Sequence, residues 1–164
     1  RRPAGILDSQ GRIMPTFYFA YGSNMNPVRV QERGLAFVSI SPARLAGFRL
    51  VFDKVSVAPP GRSHANVVFA PGEVVEGVLY GLEDCSEIHK MDRFERAPIN
   101  YGREVVVVES RGARTPAWTY FANPAVRTPG LRPPRDYLEH LLAGREYLSR
   151  DYFEWLSATR CADD

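Results

Sequence analysis

The chain is poor in the residues that build most metal and redox centres. It holds two cysteines, Cys85 and Cys161, far apart and in no CxxC pair, and three histidines, His64, His89 and His140, in no ligand spacing. Neither a disulfide framework nor a structural zinc site is expected from these. Charge of one sign is not concentrated either. The 21 Lys and Arg residues stand against 19 Asp and Glu, and the arginines are scattered. Scattered cations make no footprint for nucleic acid, even at a sequence pI of 8.7. No apolar run approaches the ~18 residues of a membrane span, and no signal-peptide core precedes Phe17. A phosphate loop is missing too, since there is no GxGxxG and no Gly-Lys-Ser/Thr. These absences point away from metals, cofactors, nucleic acid and membranes, and the cysteine usage fits a cytoplasmic location.

What remains is an ordinary globular composition over 164 residues, the size of a single domain. Residues 1–15 (RRPAGILDSQGRIMP) are polar and aperiodic, and are expected to be a disordered leader or a cloning remnant with Met14 as the natural start. The domain is expected over 16–158, with a tail over 159–164. A buried aromatic strand is predicted over 16–21, followed by a short helix with Asn26 as N-cap, Pro27 in its first turn and Gly34 beyond its end. Residues 43–53 alternate with a slip at Gly47, a bulged strand. Strands over 66–69 and 74–82 are predicted to flank a Pro71-Gly72 turn. Residues 84–94 read as a helix with Cys85, Ile88, Met91 and Glu95 along one face, which leaves Glu87 and Asp92 in solvent. A strand over 101–110 with a buried Val105–Val108 run, a strand over 115–122, a loop with four prolines over 123–134 and two helices over 136–148 and 151–158, the second with Ser149 as N-cap, complete the chain. There is no steady strand–helix alternation, so the fold class is α+β, a strongly curved or closed sheet flanked by short helices.

Two stretches carry chemistry. Tyr21-Gly22-Ser23-Asn24 ends the aromatic strand on small polar residues. Gly22 permits close backbone approach, and successive N–H groups with the Ser23 hydroxyl and Asn24 amide would hold an anion or a carbonyl oxygen. Equally, the stretch could be a turn that only redirects the chain and caps a helix. The second stretch is Met91-Asp92-Arg93-Phe94-Glu95-Arg96. If Glu95 continues the apolar face it points inward, where burial raises its pKa toward that of a general base. The other reading pairs it with Arg93, Arg96 or Arg103 at the surface.

Together, "YFAYGSNM" and the later "MDRFE", in that order and at that distance, resemble the γ-glutamylcyclotransferase-like family over nearly the whole chain. The resemblance implies a small mixed β-barrel with helices packed around it. It also implies intramolecular attack by the α-amine of a γ-glutamyl group on its own γ-carbonyl, giving 5-oxoproline and a free amine or amino acid. Carried over, Glu95 matches the general acid/base, Tyr21, Gly22, Ser23 and Asn24 match the glutamyl-holding loop, and Tyr101 and Tyr137 match pocket tyrosines. The substrate supplies the nucleophile, so no triad, metal or cofactor is required. The implied partner is a small γ-glutamyl compound, and the protein is expected to be a monomer or homodimer. A non-catalytic small-molecule-binding or regulatory domain on the same barrel is the alternative. Met25 replaces the Leu common after Gly-Ser-Asn in the family. The 123–134 loop is expected to contribute to leaving-group selection.

Overall fold

A computed structural model describes residues 5–7, 9–56 and 60–164. The leader holds a two-stranded antiparallel sheet, β1 (Gly5–Leu7) with β2 (Ile13–Pro15), where an unstructured segment was expected. The aromatic run follows as β3 (Phe17–Ala20). A 3-10 turn over Ser23–Met25 then leads into α1 (Pro27–Glu32), and the Asn26 side chain accepts from the Val28 N–H as the helix cap.

Two long strands form the body of the fold, β4 (Phe37–Val55) and β5 (Ser63–Leu82), antiparallel along their length. The two strands predicted over 66–69 and 74–82 are one. Pro71-Gly72 does not reverse the chain between two short strands. The register instead shifts between Ala46 and Phe48 while β5 advances from Val74 to Phe69, so the extra residues bulge within one continuous strand. Gly47 and Gly72, both at φ +84, supply the left-handed backbone that this irregularity needs. The segment resembles a turn locally, but both of its flanks find partners on β4.

After α2 (Ile88–Phe94), β6 (Tyr101–Ser110) and β7 (Ala113–Ala122) make a hairpin. β7 closes the sheet by running parallel to β3 through Tyr18↔Trp118, which gives a mixed barrel in the order β3-β5-β4-β6-β7. Closure leaves each strand with one face outward. The valine run of β6 therefore is not buried as a block: Val108 is buried while Val105 and Val107 are 47% exposed. Phe19, Val75, Val78, Tyr80 and Ala117 are fully buried in the barrel. Ile88 and Met91 of α2 pack against it, as do Leu138 and Leu141 of α3 (Arg135–Leu142) and Leu156 of α4 (Arg150–Ser157). The Ser149 hydroxyl caps α4 by accepting from the Tyr152 N–H, as its position predicted. The tail is held as well, with Cys161 buried and the Ala162 N–H donating to the Pro133 carbonyl at 2.9 Å. Among the described residues no helix is long and apolar enough to cross a membrane.

Candidate active site

The β3 chain end sets the site. Tyr21 is buried and its hydroxyl donates to the Tyr120 carbonyl at 2.5 Å, which anchors the loop to β7. Gly22 then passes between α3 and β5, where an added Cβ would lie 3.2 Å from the Tyr137 hydroxyl and 3.3 Å from the Ala65 Cβ. The small residue is needed for that close approach. The 3-10 turn is closed by the Met25 N–H donating to the Gly22 carbonyl at 2.9 Å. Its leading N–H groups precede the first bond of the turn, so the turn itself gives them no acceptor.

Asn24 points inward and is 2% exposed. Its Oδ1 accepts from the Arg33 guanidinium at 2.9 Å, and its Nδ2 donates to the Tyr18 hydroxyl at 2.9 Å and to Glu95 Oε1 at 3.3 Å. The Tyr80 hydroxyl donates to its carbonyl at 2.6 Å. A buried amide is costly unless its donors and acceptor are used. Asn24 uses them to join the loop to the carboxylate.

Glu95 follows α2, whose buried Ile88 and Met91 turn this face inward. The Glu95 N–H donates to the Met91 carbonyl at 2.9 Å, so helical bonding still holds the backbone at this first residue past the helix. Burial pushes the carboxyl up from 4.5 to about 6, against the opposing fields of Arg33, Arg29 and Lys54. The surface-pairing reading is not what the structure shows for Arg103. Its guanidinium instead pairs with Asp92 at 2.9 Å and lies 4.2 Å from the Trp118 ring centroid. Asp92 is not a solvated residue either, since it also accepts from the Tyr120 hydroxyl at 2.7 Å. Glu87 accepts from the Ala36 N–H at 2.8 Å and pairs with Lys90. These acids face neighbouring elements, which the helical period alone could not reveal.

The two tyrosines expected at the pocket grip the same residue. The Tyr101 hydroxyl donates to the Ala65 carbonyl at 2.8 Å, and the Tyr137 hydroxyl accepts from the Ala65 N–H at 3.0 Å. Burial raises the Tyr137 phenol to about 12 even though the Ala65 and Ser23 backbone N–H groups lower it. Tyr137→Phe would leave the Ala65 N–H unpaired beside the loop. A loss of roughly 1–3 kcal/mol in unfolding free energy is expected, measured by urea titration. His64 stacks on Tyr137 with ring centroids 4.5 Å apart, and burial beside Lys54 and Arg29 lowers it to about 4, so its imidazole is neutral at pH 7.

These side chains enclose an inner cavity of about 60 Å³, lined by Tyr21, Gly22, Ser23, Asn24, Glu95, Tyr101 and Tyr137 together with Tyr18, Arg33 and Tyr120. All seven residues singled out from sequence therefore meet at one place. An outer chamber of about 330 Å³ adjoins it, sharing Phe94, Glu95 and Tyr101 and adding Lys54, His64, Arg96 and Asn100. Sequence reasoning missed Tyr18, Arg33, Lys54 and His64. A polar aromatic inside a buried strand was a usable signal for Tyr18, but nothing in local spacing marked the other three. The 123–134 loop lines neither chamber. It is tied along the β4 and β5 ends by the Thr128 N–H to the Asp53 carbonyl at 2.7 Å and the Ser63 N–H to the Arg132 carbonyl at 3.1 Å. Among the described residues no group of three or more His, Cys, Asp or Glu stands together to hold a metal ion.

The family model described as "Gamma-glutamyl cyclotransferase, AIG2-like" matches residues 18–141. Among solved structures, an uncharacterized protein from Homo sapiens is similar at 26% identity and a TM-score of 0.78, covering 91% of this chain and 90% of its own. YkqA from Bacillus subtilis matches at 26% identity and a TM-score of 0.77, over 90% of this chain and 56% of its own. A structure described as a gamma-glutamyl cyclotransferase shares the fold at 24% identity and a TM-score of 0.76, over 90% of this chain and 89% of its own. No curated protein matches the sequence.

Proposed function

The chain belongs to the gamma-glutamyl cyclotransferase, AIG2-like family, and from that premise we propose that it cyclises γ-glutamyl groups to 5-oxoproline with release of an amine or amino acid. The observation that carries this reading is Glu95. It is a carboxylate lining the same cavity as the Gly22–Asn24 turn, bridged to it by Asn24 and raised to about 6 by burial. A binding domain that had lost catalysis would be expected to bury Glu95 in an ion pair or to fill the cavity. Among the described residues no such ion pair is formed, so the non-catalytic alternative is disfavoured.

In the reaction, Glu95 takes a proton from the α-ammonium of the glutamyl group. The freed amine attacks the γ-carbonyl carbon, and the carbonyl oxygen becomes an oxyanion held by N–H donors of the Gly22–Asn24 turn. Glu95 then returns its proton to the leaving nitrogen as the C–N bond breaks, and the second proton shed by the attacking nitrogen passes through the same carboxylate to the departing amine, which leaves as the ammonium. One carboxyl suffices for both transfers because nucleophile and electrophile belong to one chain. Closing the five-membered ring needs only that the chain be held folded. Tyr21, Tyr101 and Tyr137 shape the wall against which it folds.

The test is 5-oxoproline release from a panel of γ-glutamyl amino acids and amines by the purified protein. Release from none of them sinks the reading. Glu95 must start as the anion, so kcat/KM is expected to fall as pH drops through about 6. The fields of Arg33, Arg29 and Lys54 oppose Glu95 protonation, and the neighbouring phenols Tyr18, Tyr21, Tyr101 and Tyr137 are raised and stay neutral. His64, lowered to about 4, is neutral there too. The acid limb therefore belongs to one group. A profile flat between pH 5 and 7 would remove Glu95 from the base role.

A further inference from the structure

The outer chamber contains a cation without a counter-ion among the described residues. Lys54, near the end of β4, is 5% exposed, yet among the described residues no carboxylate lies within ion-pair distance of its ammonium. The neighbouring Asp53 is already occupied, accepting from Arg127 Nε at 2.8 Å and from Asn66 Nδ2 at 3.1 Å. Lys54 Nζ stands over the Tyr101 ring face, 5.9 Å from the centroid, a modest stabilisation. A desolvated ammonium held this way is unfavourable on its own and becomes favourable once an anion reaches it.

A second cation stands on the same wall. Arg96 follows α2 at φ 49, in a turn where the Ile99 and Asn100 N–H groups both donate to its carbonyl at 2.9 Å. A left-handed arginine is a strained conformation that its surroundings must hold, and here it leaves the side chain on the outer chamber. No ion pair engages it among the described residues. Burial and Arg96 both weaken proton binding at Lys54, and Glu95 strengthens it, so two cations and one carboxylate share this wall. Neutral His64 and Asn100 add hydrogen-bonding groups without charge.

Glu95 lies on the boundary of the two chambers, and so must the bond it acts on. The amide and N–H donors that suit the glutamyl group are in the inner cavity, which leaves the outer chamber to the departing amine. Resting on the cyclotransferase reading above, we infer that Lys54, assisted by Arg96, binds a carboxylate on the leaving group, so that the enzyme selects γ-glutamyl amino acids over γ-glutamyl amines. The fit strengthens during turnover. When Glu95 holds the substrate's proton its own negative charge is gone, and the leaving-group carboxylate is then the anion facing both cations.

The test compares kcat/KM for γ-glutamyl-alanine with that for γ-glutamyl-ethylamide, which lacks only the leaving-group carboxylate. The wild-type protein is expected to prefer the acid by roughly 10- to 100-fold, the value of a hydrogen-bonded charge. Lys54→Met should bring the ratio close to one, Lys54→Arg should restore most of it, and Arg96→Gln should lower it partially. The ratio separates binding from tuning. A Lys54 that acted only through the field on Glu95 would move the pH limb of both substrates together and leave the ratio unchanged. An unchanged ratio in Lys54→Met, or equal turnover of acid and amide by the wild type, overturns the inference and leaves the cyclotransferase reading standing. Failure to release 5-oxoproline from either compound overturns both. Should Lys54→Met not fold, Arg96→Gln at its exposed loop position carries the same comparison, and an unchanged ratio there overturns the inference.

Discussion

Glu95→Gln is expected to lower kcat for 5-oxoproline release by roughly 100- to 10,000-fold, the usual contribution of a positioned general acid/base. The amide keeps the size of the side chain and an Oε1 that can still accept from Asn24 Nδ2, so the loop and cavity should stay in place. It cannot take the α-ammonium proton. The loss should therefore fall on kcat, with substrate binding retained by calorimetry. The same substitution should stabilise the fold at neutral pH. The folded Glu95 carboxyl titrates near 6 rather than 4.5, so the native state binds its proton more tightly than the unfolded chain does. Stability from this group is fully present below about 4.5 and is lost as pH rises through about 6. Above that window the charged side chain costs about 2 kcal/mol, which the neutral Gln avoids. Thermal melts at pH 7 should show the variant several degrees more stable, and melts at pH 4 should show little difference. A variant that keeps wild-type turnover would end the assignment of Glu95. A variant less stable than the wild type at pH 7 would mean that the carboxylate is better solvated than its burial implies.

Gly77→Ala is expected to cost about 3 kcal/mol or more of stability, a large fraction of what a domain this size possesses. An added Cβ would sit 2.3 Å from the Ala20 carbonyl oxygen, and 2.7 and 2.9 Å from two carbons of the Phe19 ring. Neither neighbour can withdraw. Ala20 is paired to β5 through Ala20↔Val78, and β3 is held on its other side by β7 through Tyr18↔Trp118. Phe19 is fully buried. The cost arises from contact and not from backbone dihedrals, because Gly77 is not among the positive-φ glycines. Denaturant unfolding measures it. Adding Phe19→Leu should relieve the ring contacts and leave the carbonyl clash, so recovery should be partial at most. Because Ala20 leads directly into the Tyr21–Asn24 loop, residual activity should fall as well.

Much of this architecture was legible in local sequence. The aromatic β3 strand, the Asn26-Pro27 helix start, the slip at Gly47, the Ser149 cap and the β6–β7 pair each rest on a backbone or capping preference that acts over a few residues. The errors share one cause. Pro71-Gly72 has the composition of a turn, yet both flanking segments find partners on β4 and the chain runs on. Val105 and Val107 look buried by composition, but closure of the barrel turns their face outward. Asp92 looks solvated by helical period, but Tyr120 and Arg103 reach it from β7 and β6.

The same division runs through the site. The sequence by itself determined the chemical groups: a strand ending on Tyr-Gly-Ser-Asn and a carboxylate on an apolar helix face. These depend on residue identity and short-range spacing. Only the tertiary structure decided that Asn24 bridges loop and carboxylate, that two tyrosines clamp Ala65, and that Lys54 stands buried beside Arg96 without a counter-ion among the described residues. Barrel closure and helix packing bring those groups together from the ends of β3 and α2 and from β4, β5, β6 and α3. Their pKa values and partners come from burial and from charges distant in sequence, which no local pattern encodes.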